Sequence, residues 1–167
     1  MARFSFHQLS EEQRIQLMNE FYDMVSSLQG KDEVRLFFAD LLTLDEIAML
    51  MRRIEVAALL RAGFSYEQIT DVLGVGRNKI TNVQHSLQRK ESGYDIVIQK
   101  LLRSGRTSKK PSKSRNGEFE RLKRMPYSGL YIFQIIDEIG GLLESKFKNK
   151  LSKENKEILS RMPTRRI

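Results

Sequence analysis

The chain has no cysteine, so disulfides, thiolate zinc sites and cysteine nucleophiles are all excluded. That absence fits a reducing compartment. Only two histidines occur, His7 and His85, far apart and without metal-ligand spacing around them. Neither a metal site nor a cofactor is expected. Nowhere does the chain approach the roughly 18 consecutive apolar residues that a membrane span needs. The longest apolar stretch, 130–136, already contains Gln134. The N-terminus carries Arg3 but turns polar from His7, unlike a secretory signal. A cytoplasmic location with no membrane partner is therefore expected. Strand alternation is missing beyond a few residues, and three prolines punctuate 167 residues. The expected fold class is all-α.

What is present is charge, and it is unevenly placed. The formal net charge is +8. Residues 1–102 hold 12 of the 29 basic and 14 of the 21 acidic residues, leaving 17 basic and 7 acidic in 103–167. The basic excess thus lies wholly in the last third. Such asymmetry suggests a tail that meets phosphates, because each Lys or Arg near a polyanion releases condensed counterions; the alternative is a solvated tail. Hydrophobic residues make up 40% of the chain, enough for a core.

Periodicity predicts helices through the first hundred residues. Ser10, followed by Glu11 and Glu12, caps a helix with Leu17, Met18, Phe21, Val25 and Leu28 as its apolar stripe, ended at Gly30. A second helix is expected over 32–42. Thr43 and Glu46 form a capping-box pair opening a third, with Ile47, Leu50, Met51, Ile54 and Ala58 inward, stopped by Gly63. Ser92 and Gly93 break the chain before a helix over 95–103 that buries Ile96, Ile98, Leu101 and Leu102. Residues 104–117 contain no aliphatic or aromatic side chain and read as a flexible basic linker with Arg106, Lys109, Lys110 and Lys113. Beyond it, residues 118–167 read as a basic helical extension. One helix there ends or is interrupted at Gly140 and Gly141, and a short one over 153–161 is capped by Ser152. The expected organisation is a DNA-binding helical domain over 1–103, the linker, and the extension.

The informative stretch is FSYEQITDVLGVGRNKITNVQHSL, residues 64–87. Ser65 and Gln68 make a capping box, with Phe64 and Ile69 placed as a hydrophobic staple. Ile69 and Leu73 face inward. Gly74 supplies the positive φ that ends this helix, and a second begins after Gly76, burying Ile80, Val83 and Leu87. A short helix, a glycine turn and a second helix with a polar outer face make a helix-turn-helix. Its second helix offers Arg77, Asn78, Lys79, Thr81, Asn82, Gln84 and His85, with Arg89 and Lys90 just beyond. Arginine can fork onto guanine, and Asn or Gln onto adenine. No acid lies between Val72 and Arg89, as a surface approaching phosphate requires. With Ser65 and Gln68 these residues form the candidate DNA-binding set. The plainer reading is a packed helix pair with a polar face, which rarely combines this spacing, capping box and acid-free helix.

The segment containing LLTLDE (41–46), RRIEVAALL (52–60) and LGVGRNKIT (73–81) resembles the Trp repressor superfamily, particularly its Trp-repressor-like YerC/YecD branch. The resemblance covers 16–103. It implies an intertwined helical homodimer with two helix-turn-helix heads, and places Asn78, Lys79 and Thr81 against operator DNA. It also implies a possible effector pocket at Thr43, Arg52, Arg53 and Ser86. Asn82 and Val83 stand where the Trp repressor has the arginine and glycine that help hold tryptophan. Asn82 cannot supply a guanidinium to a carboxylate, and Val83 crowds a flat indole, so tryptophan is disfavoured as an effector.

No nucleophile, base and positioning group converge in the sequence, and an enzyme is not expected. Asp45 and Glu46 are explained as first-turn carboxylates, and LGVGRNK lacks phosphate-loop spacing. The expected function is sequence-specific double-stranded DNA binding in transcriptional regulation. The alternatives are a DNA-binding accessory in replication or recombination, since fold does not fix function, and a partner-binding adaptor acting through the C-terminal helices.

Overall fold

A computed structural model describes residues 5–104, 115–124 and 132–161. The described residues form eight α-helices and one 3-10 turn, with no strand. They divide into two compact units, Met1–Ile47 and Ala48–Ile167. The expected linker cations Arg106, Lys109, Lys110 and Lys113 lie outside the described residues.

The first unit holds the 3-10 turn Phe6–Gln8, α1 (Glu11–Ser27) and α2 (Gly30–Leu41). Ser10 caps α1 through a reciprocal box with Gln13. Arg14 donates to the carbonyls of Phe6 and His7 at 3.2 and 2.6 Å, pinning the turn to α1. Contrary to the sequence expectation, Gly30 does not end α1. The helix stops at Leu28, and Gly30 opens α2 with a φ of 78°. Neither helix buries a single residue. Ile15, Tyr22, Met24 and Leu36 are all more than half exposed.

Helix α3 (Leu44–Ala62) contains the division between units. The second unit then runs through α4 (Tyr66–Leu73), α5 (Arg77–Leu87), α6 (Gly93–Arg103), α7 (Arg115–Arg124) and α8 (Ile132–Arg161). Its buried cluster joins Val56, Leu59 and Ala62 of α3 to Ile69, Leu73, Ile80 and Val83 of α4 and α5. Ile98, Leu122, Ile135, Ile139 and Leu143 of α6, α7 and α8 belong to the same cluster. The C-terminal helices pack on α4 and α6.

Several expected faces shift. On α3 the buried run is Glu55 to Leu59 with Ala62; of the expected inner residues, Ala58 is buried, Ile47, Met51 and Ile54 are half-buried, and Leu50 is exposed. On α6, Ile96 is exposed and Asp95 is buried in its place. Helix α7 begins at Arg115, inside the expected linker.

The largest departure is α8, which runs unbroken through Gly140 and Gly141, so residues 153–161 form its last turns, not a separate helix. Packing decides this. Each interior glycine costs about 1 kcal/mol, whereas fully burying an Ile or Leu gives about 1.5–3 kcal/mol. Ile135, Ile136, Ile139 and Leu143 are all buried, at helical spacing across the glycine pair. A Cβ built on Gly140 would meet Leu102 Cδ2 at 3.6 Å, an ordinary contact. Gly140→Ala is therefore expected to raise stability by about 0.5–1 kcal/mol in urea denaturation. A loss of stability would place a tighter constraint on the α6–α8 contact.

The cap of α3 predicts a pH effect. The Glu46 carboxylate accepts from the Thr43 N–H and hydroxyl, both at 2.8 Å. The Thr43 N–H first, and then its hydroxyl, hold the carboxyl below its ordinary value of 4.5. The folded form is the weaker proton binder, so this stabilisation is present above the unfolded pKa and is lost as pH falls through the folded value. Glu46→Gln should remove that part of the acid-side slope of stability against pH, and an unchanged slope would exclude the cap as its source.

Candidate nucleic-acid interface

The helix-turn-helix forms as its local chemistry dictates. The Ser65 hydroxyl accepts from the Gln68 N–H at 3.2 Å, and Gln68 Oε1 accepts from the Ser65 N–H at 3.0 Å. Gly74 ends α4 at φ 59°, ψ 30°, a left-handed conformation that favours glycine. Val75 in the turn and Phe64 just before α4 are both buried. Ile69 and Leu73 meet Ile80, Val83 and Leu87 in the buried cluster, which sets the inclination of α5 against α4.

At about 3.6 residues per turn, the buried Ile80, Val83 and Leu87 occupy one side of α5. Asn78, Thr81, Asn82 and His85 occupy the other, flanked by Arg77 and Lys79. Arg77, Asn78, Lys79, Asn82 and His85 are exposed, and Thr81 and Gln84 are half-buried. The Thr81 hydroxyl donates to the Arg77 carbonyl at 3.1 Å. No side chain caps α5 at Gly76, and its first turn holds no acid, leaving N–H groups and the positive end of the helix dipole to an anion. Arg89 and Lys90 are exposed beyond the other end of the helix.

The effector candidates of the second unit, Arg52, Arg53 and Ser86, line two crevices. Arg52 and Arg53 line a crevice with Met49, Val56, Val75, Lys79 and Val83, whose free space is about 10 Å³, at the lower limit for one water. Val83 helps to close it. Arg52 Nη1 donates to Glu55 Oε2 at 2.7 Å. Burial pushes the Glu55 carboxyl up, an effect only partly offset by the charge and hydrogen bond of Arg52. Ser86 lines a different, open cleft with Ile54, Arg89 and Tyr94. Thr43 is engaged with Glu46 in the α3 cap. Among the described residues, no group of three or more His, Asp or Glu is placed to hold a metal, and no helix is long and apolar enough to cross a membrane.

One cluster has no local signature in the sequence. Arg61, in the last turn of α3, donates from Nε and Nη2 to the two carboxylate oxygens of Asp95 at 2.6 and 2.7 Å. Its Nη2 also donates to the Leu87 carbonyl at the end of α5, at 2.8 Å. Lys150 of α8 reaches Asp95 at 3.4 Å. The partners are separated by 34, 26 and 55 residues, so no helical or strand spacing could have paired them. Arg61→Ala should cost about 3 kcal/mol, because it leaves a buried carboxylate without its bidentate partner. Urea denaturation measures this; a loss below about 1 kcal/mol would make the pair no stronger than a surface salt bridge.

A family model described as Trp repressor protein matches residues 16–102, which include α4, the turn and α5. The uncharacterized protein YerC of Bacillus subtilis (strain 168) is 30% identical over 84 residues, spanning 50% of this chain and 81% of that protein. No solved structure matches the chain. The matched region carries α3 through α6 with the helix-turn-helix at its centre, and the chain belongs to the Trp repressor family.

Proposed function

We propose that this protein is a sequence-specific, double-stranded-DNA-binding transcriptional regulator in which α5 enters the major groove. The observation that carries this reading is the outer face of α5: polar and acid-free, uncapped at its N-terminus, and held by the buried α4–α5 contact. Arg77, Asn78, Thr81, Asn82 and His85 are the candidate base readers. Lys79, on the flank beside Arg53, is the candidate phosphate contact. Ser65, Gln68, Gln84, Arg89 and Lys90 complete the candidate set.

The regulator acts as a homodimer in this reading. Helices α1 and α2 expose Ile15, Tyr22, Met24 and Leu36 and bury nothing of their own. Apolar helix faces of this extent are stable in water only when covered. A second copy would also supply the second reading helix that a two-fold operator needs. Light scattering is expected to give twice 19.5 kDa, and Leu36→Glu is expected to halve it. A wild-type monomer at micromolar concentration would overturn the dimer.

Selection of duplexes from a random pool tests the function itself. A recurrent, two-fold-related half-site is expected, and retention without sequence enrichment would defeat the proposal. On the selected site, Arg77→Ala and Asn78→Ala should each cost about 1–3 kcal/mol and relax preference at one position. Lys79→Ala should weaken all sequences alike. Wild-type affinity and preference in all three variants would remove α5 as the reader.

A further inference from the structure

A cleft of about 670 Å³ lies between the end of α3 and α8, a volume typical of sites for small organic molecules. Leu60 and Phe147 supply its apolar surface, both half-buried and packed against the core. Arg61, Lys146, Lys150 and Lys153 bring four cations to the same space. The three lysines recur at intervals of four and three residues, which places them along one face of α8. Lys146 and Lys153 are exposed, and no acid is among the residues that line the cleft.

The guanidinium of Arg61 is already oriented. Its Nε and Nη2 edge is fixed by Asp95 and the Leu87 carbonyl. The planar fork leaves the Nη1 hydrogens on its other edge, available to a second acceptor without loss of the first. A fixed guanidinium and nearby lysines beside an apolar wall match a ligand with an anionic head and a compact apolar body.

We propose that this cleft binds a small organic anion, a carboxylate or phosphate on a ring-sized apolar body, with Arg61, Lys146, Lys150 and Lys153 receiving the charge and Leu60 and Phe147 the body. A nucleic-acid backbone fits less well, because it offers charge but no apolar group to reach the wall of a concave site. The ligand sits one guanidinium from the end of α5. That link to regulation rests on α5 being the DNA reader, whereas binding itself does not.

The test uses the full chain without DNA, titrated with phenyl phosphate, benzoate, benzyl alcohol and inorganic phosphate. Amide NMR shifts and the thermal midpoint are followed. Phenyl phosphate, benzoate or both should saturate, with shifts centred on Arg61, Phe147 and Lys150 and a rise in Tm; whichever does so identifies the head group. Benzyl alcohol should do neither. Lys146→Glu with Lys153→Glu leaves the Arg61–Asp95–Lys150 contacts in place and should weaken the bound probe by about tenfold or more, with circular dichroism unchanged. The proposal is overturned if neither anionic probe saturates there, or if the folded double variant binds as the parent does. It is also overturned if inorganic phosphate moves the same amides as strongly, which marks a bare anion patch. Displacement of the same amides by a short random duplex, lost in the double variant, would make the cleft a DNA contact instead.

Discussion

Four helices of the second unit meet at one guanidinium. Arg61 closes α3, satisfies the carbonyl of Leu87 at the end of α5, and neutralises Asp95 in the first turn of α6, where Lys150 of α8 also arrives. A helix end leaves carbonyls without intrahelical partners, and a carboxylate 5% exposed is costly without a paired cation. One side chain answers both demands. The α4–α5 core sets the inclination of α5 from its buried face, while Arg61 holds its C-terminal end to α3. Asp95 in turn stands in the first turn of α6, where negative charge complements the helix dipole.

The uneven charge of the chain takes on a second meaning in this setting. The basic final third is not free to serve only an external polyanion. Lys150 pairs with Asp95 and Lys123 lies 3.9 Å from Asp71, so C-terminal cations answer acids of α4 and α6. Arg121 meets Glu138 within the C-terminal helices themselves, at 3.3 Å. These acids lie off the outer face of α5, which stays free of negative charge. The C-terminal helices also contribute Leu122, Ile135, Ile136, Ile139 and Leu143 to the buried cluster. They are thus part of what supports the helix-turn-helix.

What was legible in the sequence was local. The capping boxes at Ser65 and Thr43, the N-cap at Ser10, the left-handed Gly74, and the buried Ile80, Val83 and Leu87 each depend on residues within one or two turns of each other. Sequence spacing reports such relations directly. The errors arose where distant packing overrides local preference. Gly140 and Gly141 read as a break, yet the aliphatic face on either side of them is buried and carries the helix through. Ile96 read as core, yet α6 turns Asp95 inward because Arg61 waits there. The outer face of α5 was legible, but the cluster that anchors its far end was not, since its members lie tens of residues apart.

In the crevice beneath α5, Arg52 is tied to the fold through Glu55. Glu55 is buried, and its carboxyl is pushed up because desolvation outweighs the attraction of Arg52. Drawing Arg52 toward a bound anion would remove the charge and hydrogen bond that partly offset this burial, and breaking a buried pair is costly. Val83 and Val75 occupy the space that a flat ring would need, leaving about 10 Å³. Arg52 is therefore committed to the fold and Val83 to the core. Arg53 and Lys79 add their charge to the same crevice beside α5. A crevice built this way serves α5 by supporting it from beneath.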